Sequence, residues 1–321
     1  MVRAEPAQIV AASAEAIEKA AAAIRAGDLV VFPTETVYGL GVDARNSTAV
    51  ARLFHVKGRP ATNPLIVHVA DAQVALTLAA TWPKAAADLA SAFWPGPLTL
   101  VLPSRGVVAP QVTAGGTTIA IRCPAHPVAQ ELLRHAGCPI AAPSANRSGA
   151  LSPTRVEHLP SFSANEVAWI LDGGPCPGGV ESTVVAIDEA GAIRLLRPGL
   201  LSVTELEQVV AGVVPASPGI TPGTPLQSPG LLRRHYAPKT ALELAESQQE
   251  ASFLQKLYEK AGLSVTIWQA HGTPAETARR LYEDLHRLDA MKYDRILAIL
   301  PPESDEWRAI RDRLTRAAAE E

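Results

Sequence analysis

No regular helix or strand can be drawn through residues 212 to 239, GVVPASPGITPGTPLQSPGLLRRHYAPK. Proline removes backbone donors and fixes φ, and glycine weakens helices and strands alike, so a stretch this dense in both reads as a partly extended linker. The linker divides the chain into residues 1–211 and a smaller part, residues 240–321. At 47% hydrophobic and 19% charged, the 321 residues hold enough apolar material for a core on each side and exclude global disorder.

Before the linker, hydrophobic patterning predicts helices at AEAIEKAAAAIRAGD, STAVARLFHVKGRP, KAAADLASAFW and PVAQELLRHAG. The second is expected to start at a Ser/Thr cap and to end at Pro60. Strands are expected at LVVF, PLIVHV, LTLVLP, TTIAIRCP, PIAAPSAN, VAWILDGG, STVVAID and AIRLLRPG. Several follow one another with no helix between, which predicts a twisted α/β sheet of mixed direction. Beyond the linker, TALELAE, SVTIWQA and DRILAIL alternate with three helices, the pattern of a small Rossmann-like parallel α/β domain. No Gly-x-Gly-x-x-Gly follows its first strand, so it carries no dinucleotide fingerprint.

A net charge of −3 argues against a protein that coats nucleic acid. Cys123, Cys138 and Cys176 are too few and too scattered for a disulfide framework or a zinc site. Glu15, Glu18 and Lys19 interrupt the Ala-rich start, and no apolar run is long enough to cross a bilayer. These features lead us to expect a soluble, cytoplasmic protein with no membrane partner.

Polar residues gather where strands and helices of the first part end, the usual place for a ligand in an α/β sheet. FPTETVYGLG (32–41) puts Thr34, Glu35, Thr36 and Tyr38 directly after an apolar strand. Lys57 and Arg59, spaced i, i+2, suit either one phosphate approached from two sides or a solvated basic helix end. Ser144 and Asn146 in PSANRSG suit either a phosphate or ribose contact or a self-satisfied turn. A Ser144/Lys57 nucleophile pair lacks an orienting third residue and is set aside. His68 lies mid-strand, where a core histidine is the default. Arg233, Arg234, His235 and Tyr236 lie in the linker, as a nucleotide lid or as solvated charge.

Taken in order, FPTETVYGLG, KGRPATNPLIVHV, WPGPLTLVL, TTIAIRCPAHP, IAAPSANRSG, GVESTVV, LLRPG and SPGLLRRHYAP resemble the YrdC-like family. The second domain and the final RLTRAA resemble the family's longer form. The resemblance implies a concave catalytic domain and a nucleotidyltransferase that makes L-threonylcarbamoyladenylate and pyrophosphate from L-threonine, bicarbonate and ATP. A separate transferase would then pass the product to tRNA, so tRNA is an indirect partner. It further implies Lys57 and Arg59 as catalytic residues. Arg59, Asn63, Thr118, Ser144, Asn146, Ser152 and Arg197 would hold ATP, with His235 and Tyr236 closing over it. Thr34 or Thr36, His68, Arg122, Ala142 and Ser182 would hold L-threonine, with Tyr38 helping to build that end. Mg2+ would accompany ATP, with no organic cofactor and no dedicated metal cage. The lid departs from the family pattern at Leu232 and Arg233, where Lys or Arg and an aromatic or His are usual. An RNA-binding module and a regulatory threonine- or nucleotide-binding protein of the same fold are the rival readings.

Overall fold

The structure is a computed structural model that describes residues 5–215, 230 and 233–319; Leu232 and most of the linker lie outside the described residues. Eleven strands form one sheet in the order Ile9–Ala11, Trp169–Asp172, Val30–Phe32, Gly39–Asp43, Ile140–Ala141, Ile66–His68, Thr118–Arg122, Leu98–Pro103, Thr183–Ile187, Ile193–Arg197 and Val213–Pro215. It contains both parallel and antiparallel pairs, so the mixed direction expected from consecutive strands is observed. Ala241–Ala245, Arg295–Ile299 and Val265–Trp268 form a separate three-stranded parallel sheet.

Local chemistry explains the helix ends. Ser13 caps helix Ala14–Ala26, and Gly27 closes it at φ +91°, in the left-handed region that glycine enters at little cost. The second helix, Ser47–Lys57, differs from expectation at both ends. Its cap is Asn46, whose side chain accepts from the Ala49 amide, and Gly58 ends it at φ +61°, two residues before Pro60. Three strands escaped the sequence reading: Ile9–Ala11 is only three residues long, and the other two carry weak strand signals of their own. Gly39–Asp43 contributes two glycines, and Val213–Pro215 lies inside the proline-rich segment, paired parallel to Ile193–Leu195.

The second core is not confined to the C-terminal domain. Val37, Leu151, Val180 and Tyr236 pack with Leu281, Tyr282, Leu285 and Leu314 from helices Pro274–Ala290 and Arg308–Ala318. Polar contacts border this junction. His158 and His286 stack at 4.0 Å, Arg155 pairs with Glu283 at 3.0 Å, and Arg279 Nε donates to the Pro177 carbonyl at 3.0 Å. The two domains come close at Gly179, whose φ is +79° and whose added Cβ would lie 2.3 Å from the Ala278 carbonyl oxygen. Gly179→Ala should therefore lower unfolding free energy by about 2–4 kcal/mol, from left-handed strain plus overpacking against backbone. Denaturant titration checks this; an unchanged midpoint would mean that the two domains do not meet at Gly179.

Candidate active site

One cavity opens where the strands around Thr34, His68, Arg122, Ala142 and Arg197 end and the second domain begins. Its wall carries ten of the residues singled out in the sequence. Thr34, Thr36, His68, Arg122 and Ala142 lie on it, as do Arg59, Ser144, Arg197, His235 and Tyr236. Val37, Gly39, Ile66, Pro143, Glu181 and Gly230 complete it.

At one end, Thr34 turns its hydroxyl onto the Val37 carbonyl at 2.6 Å. Its single proton is thereby used, so Thr36 is the donor in the 2.8 Å contact between the two hydroxyls. Arg122 projects from the end of strand Thr118–Arg122, and its Nη2 donates to Glu35 Oε1 at 2.6 Å. Glu35 Oε2 accepts from the Ala125 amide at 3.0 Å, so the carboxylate holds the guanidinium from behind. Nε reaches the Gly96 carbonyl at 3.4 Å, and the remaining nitrogen, Nη1, has no partner among the described residues and is suited to a second carboxylate. His68 is buried with Nδ1 unpartnered. Burial and then the Arg122 charge press its pKa down to about 3, so the imidazole is neutral.

Cations dominate the other end. Arg59 donates through Nε to the Asn63 carbonyl at 3.0 Å and through Nη2 to Asn63 Oδ1 and the Pro64 carbonyl, leaving Nη1 unbonded among the described residues. Arg197 is anchored by Nε and Nη2 on Ser182 and reaches the Tyr236 hydroxyl through Nη1 at 3.4 Å. His235, held neutral chiefly by burial and then by Arg59, also has a buried, unpartnered Nδ1. The unbonded Nη1 of Arg59 and the unpartnered Nδ1 atoms of His68 and His235 call for a ligand, because a buried polar atom is costly when left alone.

The other singled-out residues do not line the cavity. Lys57 does not share a face with Arg59. Arg59 lies on the cavity wall, whereas the Lys57 ammonium donates to the carbonyls of Ser144 (2.5 Å) and Asn146. It thus braces the loop that presents Ser144, and burial followed by the charges of Arg59 and Arg147 presses its pKa well down. Asn63 supports Arg59, while Asn146 accepts from the Ser144 hydroxyl at 2.5 Å and bonds the carbonyls of Arg147 and Ala150. The turn reading of Ser144 and Asn146 therefore holds, and it aims Ser144 at the cavity. Ser152 donates to Glu181 at 2.5 Å, and Ser182 meets Thr99 at 2.7 Å and Arg197. Thr118 begins the strand that Arg122 ends, about 13 Å away. Tyr38 is corrected from the amino-acid end to the core. Its hydroxyl donates to the Gly174 carbonyl at 2.7 Å, and it packs with the main apolar cluster. Arg233 is exposed.

Two carboxylates were not assigned from sequence, Glu35 and Glu181. Glu181 lies within GVEST, where a lone acid among small residues was the available signal. It is buried on the cavity wall and bonded by Ser152, Tyr282 and Arg313. Among the described residues, no cluster of three His, Cys, Asp or Glu is arranged to hold a metal ion. Burial pushes the thiols of Cys123 and Cys138 up to about 11 and that of Cys176 to about 12, which disfavours thiolate chemistry.

Residues 22–199 match the family model for Sua5, YciO and YrdC, described as "Telomere recombination". The chain belongs to this family. Residues 201–319 match the "Threonylcarbamoyl-AMP synthase, C-terminal domain" model, which places the chain among the family's two-domain members. Threonylcarbamoyl-AMP synthase of Bacillus subtilis is 40% identical over 94% of this chain and 92% of its own. That of Pyrococcus abyssi is 40% identical over 94% of both. The crystal structure of P. abyssi Sua5 complexed with L-threonine superposes with a TM-score of 0.89 at 38% identity, covering 97% of each chain. The α/β architecture of these Sua5-family proteins is thus shared across both domains. No helix among the described residues is long and apolar enough to cross a membrane.

Glu181 also sets an acid dependence. Burial raises its carboxyl, but Arg313, Arg197 and the Ser152 hydroxyl outweigh this and bring it from the ordinary 4.5 to about 2. A depressed carboxyl pKa contributes stability that is complete above the unfolded value and is lost as pH falls through the folded one. The stability difference between the unaltered protein and Glu181→Gln should shrink by on the order of 3 kcal/mol between about pH 5 and about pH 2. Urea unfolding across that range measures it, and a pH-independent difference would contradict an ionised Glu181.

Proposed function

We propose that this protein is a threonylcarbamoyl-AMP synthase that converts L-threonine, bicarbonate and ATP into L-threonylcarbamoyl-AMP and pyrophosphate. The observation that carries this reading is a single cavity with a carboxylate-seeking arginine at one end and anion-seeking arginines at the other. Arg122, braced by Glu35, suits an amino-acid carboxylate, and Arg59 and Arg197 suit the phosphates. Family membership over both domains and the synthase names of relatives across nearly the whole chain support it.

The chemistry asks for placement more than for a protein nucleophile. The threonine amine takes up bicarbonate with loss of water to give a carbamate. A carbamate oxygen then attacks the α-phosphorus of ATP, and the bond to the bridging oxygen breaks to release pyrophosphate. A neutral His68 and the hydroxyls of Thr34 and Thr36 suit a desolvated amine that must not stay protonated. Charge growing on the leaving pyrophosphate would be met by Arg59 and Arg197 in a water-poor site, where such contacts are strongest. Mg2+ is best regarded as part of the nucleotide substrate, since the carboxylates here are engaged. Glu35 serves Arg122, and Glu181 serves Arg313, Tyr282 and Ser152. The product would feed a transferase acting on tRNA. Arg59, Arg122 and Arg197 are 9%, 4% and 3% exposed, which favours a small enclosed anion over an RNA backbone.

Pyrophosphate release from MgATP should require both L-threonine and bicarbonate, with L-serine a poorer substrate. Binding of ATP without pyrophosphate under any combination would overturn the synthase reading in favour of a regulatory binding protein. Arg59→Ala should lower turnover about 100-fold or more while L-threonine still binds, the scale expected for removing one preorganised charge donor.

A further inference from the structure

RLTRAA, at the end of the chain, was matched by sequence but has no part in the chemistry so far. Its first residue, Arg313, is 1% exposed, although it lies on the last helix of the second domain. From there it reaches the cavity wall. Nε donates to Glu181 Oε2 at 2.7 Å, Nη2 to the Pro198 carbonyl at 3.0 Å, and Nη1 to Asp312 at 2.6 Å. The guanidinium also lies over the Tyr236 ring, 4.9 Å from its centroid. Tyr282, from helix Pro274–Ala290, donates its hydroxyl to the same carboxylate at 3.0 Å.

Three groups on the nucleotide side depend on this arrangement. Ser152 spends its hydroxyl proton on Glu181 Oε1, so its lone pairs are aimed by where that carboxylate sits. Tyr236 is confined between Arg313 on its face and the Tyr282 ring at 6.0 Å, with its hydroxyl on Arg197. His235 donates its backbone amide to the Arg316 carbonyl at 3.2 Å, one turn farther along the same helix. The hydrogen bonds that hold the threonine end, by contrast, stay within the first domain, those of Glu35 to Arg122 and of the Thr34 turn.

We propose that Arg313 and Tyr282 of the C-terminal domain are positioning residues for the nucleotide: they fix Glu181 and Tyr236, and through them Ser152 and Arg197, so that the ATP half of the cavity is built only when the second domain is docked. The inference rests on the assignment of that half to ATP. It separates the two substrates physically, because the hydrogen-bonded support for one crosses the domain boundary and that for the other does not. It also accounts for a buried acid on the wall of a site that should bind an anion. Glu181 acts as an anchor for the second domain, and its charge is matched by Arg313 instead of facing the phosphates.

Isothermal titration of the full chain with the α,β-methylene analogue of ATP, and separately with L-threonine, tests this. Arg313→Met should weaken the nucleotide analogue about tenfold or more, the scale of losing the support behind a binding group, and leave L-threonine affinity within about twofold. Arg313→Lys should recover part of the loss, and Tyr282→Phe should weaken the analogue several-fold by removing only a hydroxyl. Equal loss of both ligands, or undiminished nucleotide affinity in folded variants, would overturn the proposal. Should Arg313→Met fail to fold, Tyr282→Phe decides by the same criteria. Failure of the unaltered protein to bind the analogue would overturn the ATP assignment together with this inference, whereas binding unaffected by the substitutions would overturn the inference alone.

Discussion

A carboxylate and a guanidinium taken out of water must each recover several kcal/mol of lost solvation, and Glu181 and Arg313 do so across the boundary between two domains. Their mutual contact is not the whole compensation. Both Glu181 oxygens accept further bonds, from Ser152 and Tyr282, and Arg313 spreads its remaining donors over Asp312 and the Pro198 carbonyl. Separation of the domains would strip Glu181 of Arg313 and Tyr282, and Arg313 of Glu181 and the Pro198 carbonyl, so polar contacts tie the second domain to the first as well as apolar ones. Leu281, Leu285 and Leu314 close over Val180 beside the pair and exclude the water that would weaken it.

The same logic sorts the arginines of the cavity. Arg122 and Arg313 have carboxylate partners, while Arg59 is held by carbonyls and an amide oxygen, which leave its net charge in place. A cationic end and a half-neutralised end therefore share one cavity. The arrangement suits a highly charged triphosphate at the first and a single carboxylate at the second. Buried Lys57 adds nothing directly to the wall. It fixes the Ser144–Asn146 loop from beneath, a structural task that spacing on paper does not distinguish from phosphate binding.

Much of the architecture was legible in the chain because it depends on local rules. Hydrophobic period located every helix of the second domain, and consecutive strands without helices implied a sheet of mixed direction. Failures fell where the signal was not local. Gly39–Asp43 is a strand because Phe32 and Ile140 pack where its glycines leave room, and Val213–Pro215 is one because an exposed sheet edge was available. Asn46 took the cap expected of a Ser or Thr, a difference of one residue that periodicity does not resolve.

For the site, sequence determined the inventory and tertiary structure determined the roles. Motif order named Arg59, Arg122, Ser144 and Arg197, because residues that bind one ligand recur as recognisable clusters at element ends. Which of them face the cavity was decided by their tertiary partners. Lys57 was taken up by the Ser144 and Asn146 carbonyls, and the bond to Gly174 drew Tyr38 into the core. Glu181 and Arg313 lie 132 positions apart. Neither local propensity nor spacing links residues at that separation. Only the docking of two domains brings them together, and the cost of leaving either charge buried alone makes the contact specific.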